Sequence, residues 1–184
     1  ILVGVIGGIS STILFFSFEH VSGFHIILYS LISLTGILVG LEIPILMRIL
    51  KDKLDFSELV SKVFTFDYIG ALLASLLFPL VMVPYLGLLK TSYFFGLLNV
   101  IVAVILCFQL EKGEKYISFL KAQAILVSFL LLIGFVMSDQ IQSFAETMAY
   151  NENIIFSKSS PYQSIILTRE NNNTKLYLNS NLQF

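Results

Sequence analysis

Ser159 to Phe184 reads SSPYQSIILTRENNNTKLYLNSNLQF, the longest stretch of the chain with the character of a water-soluble fold. Gln163 to Arg169 and Lys175 to Asn179 are short runs rich in isoleucine, leucine and tyrosine. Between them stand Glu170-Asn171-Asn172-Asn173, residues that tolerate turn geometry and hydrogen-bond their own backbone. The pattern predicts a β-hairpin, with Ile154 to Phe156 a further short strand before Pro161 interrupts.

Upstream the composition changes. Of 184 residues, 57% are hydrophobic and 12% charged, against roughly 45–50% and about 25% in soluble domains. The excess lies in five runs: Ile1 to Phe18, Phe24 to Met47, Val63 to Val83, Thr91 to Leu110 and Tyr116 to Met137. A hydrocarbon core of about 30 Å takes roughly 20 helical residues. Backbone amides in lipid must be paired within their own segment, so these runs read as helices. Ile1 to Phe18 lacks a basic leader and a small-residue cleavage pattern, and reads as a span and not a signal peptide.

The expected fold class is an all-α multi-span transmembrane bundle over 1–138, an amphipathic linker helix over 139–153, and a short β-hairpin within 154–184. In the linker, Ile141, Phe144, Ala145 and Met148 share one helical face, which suits the bilayer surface or a cap on the bundle. Small residues recur four apart at Gly4 and Gly8, Gly36 and Gly40, Gly70 and Ala74. That spacing allows close helix approach in lipid, though glycine is common in membrane helices in any case. The chain opens inside an apolar run and closes inside an expected strand, so it reads as a fragment of a longer protein.

A net charge of −1 gives no reason to expect a nucleic-acid partner. Cys107 is the only cysteine, and His20 and His25 stand five apart, off the helical spacing that aligns ligands. No metal site is expected. Asn172-Asn173-Thr174 matches a glycosylation acceptor but is explained by the turn.

Ionisable groups inside spans are costly and therefore informative. Glu42 lies about 9 Å from Arg48 along its helix, and Asp67 about 7.5 Å from Lys62, at 1.5 Å per residue. The two acids come to a similar depth, and Pro44 removes a helix donor beside Glu42. One reading is a cleft for a small cation or a polyamine between the second and third spans. The plain reading is that Arg48, Tyr68 or backbone holds each acid and the pair orders the bundle.

Ser160-Pro161-Tyr162-Gln163, leading to Leu176-Tyr177-Leu178-Asn179-Ser180-Asn181-Leu182-Gln183, resembles the start of the catalytic part of the polyamine aminopropyltransferases, the spermidine synthase family. The runs Gly40 to Arg48 and Thr65 to Leu72 are similar to its membrane-embedded members. The resemblance implies a small β-domain followed downstream by a Rossmann-like domain. It also implies transfer of an aminopropyl group from decarboxylated S-adenosylmethionine, a co-substrate and no resident cofactor, to putrescine. The products would be spermidine and methylthioadenosine. Gln163 matches a glutamine that contacts the sulfonium nucleoside, while Leu178 and Gln183 flank the same pocket. The catalytic base lies downstream in the family, so the fragment alone is not competent. Ser180 stands where glycine is usual and Asn179 where aspartate is common; a positive φ at Ser180 would strain the turn.

The expected location is a cell membrane, crossed several times, with the lipid bilayer as a partner and self-association of the bundle left open. Arg48, Lys51, Lys53 and Lys62 in one connection, and Lys112, Lys115 and Lys121 in another, favour the cytoplasm, which puts the tail on the opposite face. Family chemistry favours the cytoplasm for the tail, since its donor is made there. Either the tail works outside, or the fifth apolar run dips in and returns. A transporter module for polyamines or small cations with a non-catalytic tail, and a purely structural anchor, are the alternatives.

Overall fold

The structure, a computed structural model, describes residues 1–18, 23–52, 55–109, 115–150, 152–160, 163–171, 173–179 and 181–184. His20, Lys53, Leu110, Lys112, Pro161, Tyr162, Asn172 and Ser180 lie outside the described residues. Among the described residues, six α-helices and one π-helical segment precede a small sheet. They are α1 (Leu2–Phe18), α2 (Phe24–Leu50), α3 (Phe56–Leu77), a π-helical segment (Phe78–Met82), α4 (Val83–Gln109), α5 (Lys115–Val136) and α6 (Ser138–Ala149). The strands β1 (Asn153–Ser159), β2 (Ser164–Glu170), β3 (Asn173–Leu178) and β4 (Asn181–Leu182) form one antiparallel sheet in chain order.

The bundle is organised on the crossing of α1 with α4. A Cβ built on Gly96 would stand 2.7 Å from the Gly4 carbonyl oxygen and 2.7 Å from Gly8 Cα, so only glycine fits there. The contact is then backbone against backbone. Ser92 Oγ, one turn earlier on α4, donates to the carbonyls of Gly7 (2.7 Å) and Gly8 (2.9 Å), and Thr12 shares a 2.8 Å hydrogen bond with Tyr93. Across α4, Tyr93, Val100, Ala124 and Leu131 make the buried core against α5. Gly134 admits the Tyr93 ring, which a Cβ there would meet at 2.4 Å.

Two expectations change. The stretch Pro84 to Lys90, read as a loop between spans, is helical apart from Gly87, whose φ of 77° and ψ of 173° bend the chain within α4. Pro84 follows directly on the π turn, and Pro79 lies at the start of that wider turn. Of the three glycine pairs, only Gly4 and Gly8 meet another helix; Gly36, Gly40 and Gly70 face open space. The reason is position. Helix α2 buries none of its residues, and α3 buries only Leu59 and Val63.

Phe24–Leu50, Phe56–Phe108 and Ile117–Val136 are long and apolar enough to cross a membrane, and α1 is shorter at 17 residues. The second of these is a single 53-residue path only because helical geometry continues through the π turn; Gly87 divides it. Helix α5 runs unbroken from the Lys121–Phe108 contact to the Gly134–Tyr93 contact, antiparallel to α4.

At the end of the bundle where α1 finishes, Phe16 meets Phe144 of α6 with ring centroids 6.0 Å apart, and Lys90 Nζ donates to Asp139 at 2.7 Å. The α6 helix ends at Ala149, and Asn153 already begins β1, so the linker is shorter than expected. Ile141 and Ala145 face the bundle as the apolar spacing implies, whereas Phe144 and Met148 remain about half exposed.

The α1–α4 crossing yields a stability prediction. Gly96→Ala forces the two backbones apart and costs ~1–3 kcal/mol. Gly40→Ala, facing open space, is neutral or gains about 0.5–1 kcal/mol from helix propensity. Thermal unfolding of the two variants in detergent measures the contrast; equal midpoints would contradict the crossing.

Candidate functional site

The sheet is built by two turns that depend on asparagine. Asn171 at φ 54° and Asn179 at φ 49° occupy the left-handed region, which asparagine tolerates better than most side chains. The positive φ of the second turn therefore falls on Asn179. Its side chain also closes the sheet edge, since Ser164 N–H donates to Asn179 Oδ1 at 2.9 Å and Asn179 N–H to the Ser164 carbonyl at 3.0 Å. The described residues form four strands where the sequence pattern showed a hairpin and a short strand at Ile154 to Phe156. In β1 the polar run Ser157-Lys158-Ser159 hides the strand, and β4 has only two residues.

Register assigns the faces. Ile166 pairs with Tyr177 and Ser157, while Ile165 pairs with Leu178 and Lys158. Residues directly opposite share a face, and faces alternate along each strand. Ser157, Ile166, Thr168, Lys175 and Tyr177 therefore lie on one face, with Ile166 and Thr168 buried. This face turns toward α6. Ser157 Oγ donates to Glu146 at 2.6 Å, Gln142 Nε2 donates to the other Glu146 oxygen at 2.9 Å, and the Tyr150 and Tyr177 rings lie 4.8 Å apart.

The opposite face carries Phe156, Ile165, Leu167, Leu176 and Leu178, of which Phe156 is exposed and the others are partly buried. Gln163, one residue before β2, continues the alternation onto this face. Gln183 lies across from Leu176, to which its N–H donates at 2.8 Å, and so joins it. The three residues nominated by resemblance thus share one side of one sheet. Gln163 is held by its backbone alone: Ser160 N–H and Oγ both donate to its carbonyl at 2.9 Å, and its own N–H donates to Ser160 Oγ at 3.0 Å. Its exposed side-chain amide has no hydrogen-bond partner among the described residues. Gln183 donates from Nε2 to the Asn181 carbonyl at 3.1 Å, which leaves its oxygen unused. The arrangement offers a ligand two amides above an apolar floor.

Sequence reasoning missed the charged group at the sheet's protected edge. Glu152 accepts from Thr168 Oγ1 and from Lys175 Nζ, so one carboxylate joins β2, β3 and the entry to β1. The Lys175 ammonium first, and then the Thr168 hydroxyl, hold the Glu152 carboxyl below its ordinary range, with partial burial opposing them. Glu152 in turn raises Lys175 above its ordinary value. Equally missed was Glu146, which the helical pattern placed away from the apolar face and which is buried between α6 and β1.

Within the bundle, Glu42, Asp67 and Arg48 are exposed, and none makes a hydrogen bond or ion pair among the described residues. Helix α2 runs on through Pro44. No side-chain contact joins the two acids, and neither is held by Arg48. Tyr68 stacks on Phe64 instead of serving Asp67. His25 stands beside Phe24 and Tyr29, and no three His, Cys, Asp or Glu residues cluster among the described residues.

With this geometry in view, the homologues of the chain over its whole length are polyamine aminopropyltransferases. It is 50% identical over 182 residues to the polyamine aminopropyltransferase of Leptospira interrogans, covering 99% of this chain and 36% of that protein. It is 44% identical over 190 residues to polyamine aminopropyltransferase 2 of Ralstonia nicotianae, covering 100% of this chain and 37% of the relative. The Corynebacterium efficiens polyamine aminopropyltransferase is 32% identical over 191 residues, again 100% of this chain and 37% of the relative. The chain therefore spans little more than a third of the relatives it matches. No family model and no solved structure matches it.

The Glu152 network sets a pH dependence. Because its folded carboxyl titrates below the unfolded one, the stability it contributes is complete above the unfolded pKa and is lost as pH falls through the folded value. Amide exchange of β2 and β3 in the full-length protein should speed up on acidification through and below the ordinary carboxylate range. In Glu152→Gln that acid-dependent loss should be much reduced, with faster exchange already at neutral pH. Identical acid profiles would exclude the network as the sheet's tie.

Proposed function

We propose that this chain is the membrane portion and leading β-structure of a membrane-anchored spermidine synthase. In this reading the amine nitrogen of putrescine attacks the aminopropyl carbon bonded to the sulfonium of decarboxylated S-adenosylmethionine. A C–N bond forms, the C–S bond breaks with its electron pair passing to sulfur, and the nitrogen loses a proton to a base. The products are spermidine and methylthioadenosine. Such a transfer depends on alignment of nitrogen, carbon and sulfur and on a deprotonated amine. The resemblance puts the base downstream of Phe184.

The observation that carries this reading is the 50% identity across 182 residues to the Leptospira interrogans polyamine aminopropyltransferase, a match that takes in both the helices and the sheet. The sheet supports it in a particular way. The Ser160 turn fixes the Gln163 backbone while leaving the amide unspent. An amide free of internal partners is available to a nucleoside, and the apolar floor of Ile165 and Leu178 suits the flat face of its base.

Anchoring in lipid is supported by where the apolar surface lies. Ile26, Ile37, Phe66, Leu72 and Leu80 are all at least 60% exposed. In water each would forgo roughly 1.5–3 kcal/mol of burial; in a bilayer core nothing is forgone. The helices would place and orient the synthase at the membrane, facing the downstream catalytic domain with the side of the sheet that carries Gln163.

Two experiments test the reading. Purified full-length protein should convert putrescine and decarboxylated S-adenosylmethionine to spermidine and methylthioadenosine, and Gln163→Ala should lower kcat/KM for the donor about tenfold, the value of one lost hydrogen bond of ~1.4 kcal/mol. Absence of transfer by the unmodified protein rejects the activity. For sidedness, Arg48, Lys51 and Lys62 lie at the end of the bundle away from α6 and the sheet, and basic ends favour the cytoplasm. In a Cys107→Ser background, Lys158→Cys should therefore be labelled by an impermeant thiol reagent in intact cells; labelling only after lysis puts the sheet in the cytoplasm.

A further inference from the structure

Between α1, α2, the π segment and α4 lies a cavity of about 310 Å³ that none of the foregoing uses. Its polar lining is Ser10, Ser11, Thr35, Thr91, Ser92 and Asn99. Where their protons go decides what it can hold. Ser10 Oγ donates to the Gly7 carbonyl at 2.7 Å, Thr91 Oγ1 to the Gly87 carbonyl at 2.6 Å, and Ser92 Oγ to the Gly7 and Gly8 carbonyls. Asn99 Nδ2 donates to the Phe95 carbonyl at 3.0 Å. A hydroxyl has one proton and two lone pairs. With those protons committed to backbone, the Ser10, Thr91 and Ser92 oxygens line the cavity as acceptors, Asn99 keeps its oxygen and one N–H, and Ser11 and Thr35 can accept or donate. No cationic side chain lines the space.

Such a wall suits a ligand that brings donors. The rest of the lining is apolar, with the rings of Phe78 and Phe95 among it, and aromatic faces attract cations. A bare metal ion needs a nearly complete oxygen shell, which this half-apolar wall does not offer. An ammonium group on a methylene chain satisfies both halves, with its N–H donors on the oxygens and its carbons on the hydrocarbon. Glu42 lies seven residues beyond Thr35 on α2, back on the same side of the helix and about 10.5 Å along it. It is exposed and unpaired among the described residues, and it can meet a second ammonium.

We propose that this cavity binds the ammonium end of an aliphatic amine. The ligand class follows from the lining; its identification with the polyamine substrate or product rests on the function proposed above. The helices would then hold the amine and the sheet the sulfonium nucleoside.

The test is equilibrium binding of radiolabelled 1,4-diaminobutane to the full-length protein in lipid nanodiscs, without the sulfonium donor. Asn99→Leu and Thr35→Val should each weaken binding about tenfold. Asn99→Asp, which adds a carboxylate to the same wall, should tighten it by a similar factor, a gain that misfolding cannot produce. 1-Aminobutane should compete and butyrate should not. An isotherm unmoved by the Asn99 pair, weakening by both substitutions alike, or competition by butyrate would overturn the site. Aminopropyl transfer measured on the same unmodified sample separates the two claims. Transfer with an unmoved isotherm removes the cavity site alone, and opposite shifts in a protein without transfer remove the synthase reading alone.

Discussion

The approach of α1 and α4 at Gly4, Gly8 and Gly96 is the constraint on which the rest depends. Lipid offers no hydrophobic reward for bringing apolar helices together, so association in a bilayer relies on close packing and on polar groups that find partners between helices. Removing side chains at the crossing supplies the first. It also brings the Gly7 and Gly8 carbonyls within reach of Ser92, and Thr12 within reach of Tyr93, which supplies the second. With α4 fixed against α1, its other side is free to bury Val100 and Tyr93 against α5. The outer helices α2 and α3 are left holding their apolar side chains outward.

The same crossing explains how the bundle grips the sheet. It sets the height at which α1 ends and α4 begins, and there Phe16 and Lys90 meet Phe144 and Asp139 of α6. The α6 helix works on two sides. Ile141 and Ala145 turn to the bundle, whereas Glu146 reaches Ser157 of β1. A buried carboxylate with two hydrogen-bond donors on it is a directional tie where an apolar contact would let the sheet slide. The tie covers one face of the sheet, and Gln163, Leu178 and Gln183 lie on the other.

Much of this was legible in the sequence, and the gaps have physical causes. Long apolar runs mark helices because backbone amides in an apolar setting have no other partners, and the runs coincide with helices in the structure. What the runs do not encode is which neighbour each helix meets. Gly36-x-x-x-Gly40 has the same spacing as Gly4-x-x-x-Gly8, and only the latter has a partner, because the pattern reports smoothness and not adjacency. The bend at Gly87 falls in the gap between the third and fourth apolar runs, which reads as a connection, though one residue with positive φ suffices to redirect a helix. The helical pattern sets Glu146 off the apolar face and does not show its burial, because its partner comes from Ser157, eleven residues later, beyond any helical period. At the candidate site, the residues were nominated by motif, but their sharing of one face follows from register, which the turn at Asn171 sets.

The distribution of charge follows from the solvent each part would meet. Transfer from a sulfonium requires ionised carboxylates and a base, and isolating such groups in hydrocarbon costs several kcal/mol apiece. The Glu152 carboxylate, with Lys175 and Thr168, sits at the sheet, where a paired ammonium keeps it charged. The cavity among the helices is polar by another route. It uses hydroxyls whose protons are already placed on carbonyls, groups that cost little to bury because each keeps a hydrogen bond of its own. An acceptor-rich wall built this way can be held in the bundle without ligand and still favour a donor that enters. That is how one chain can carry a neutral polar environment among its helices and an ionic one at its sheet.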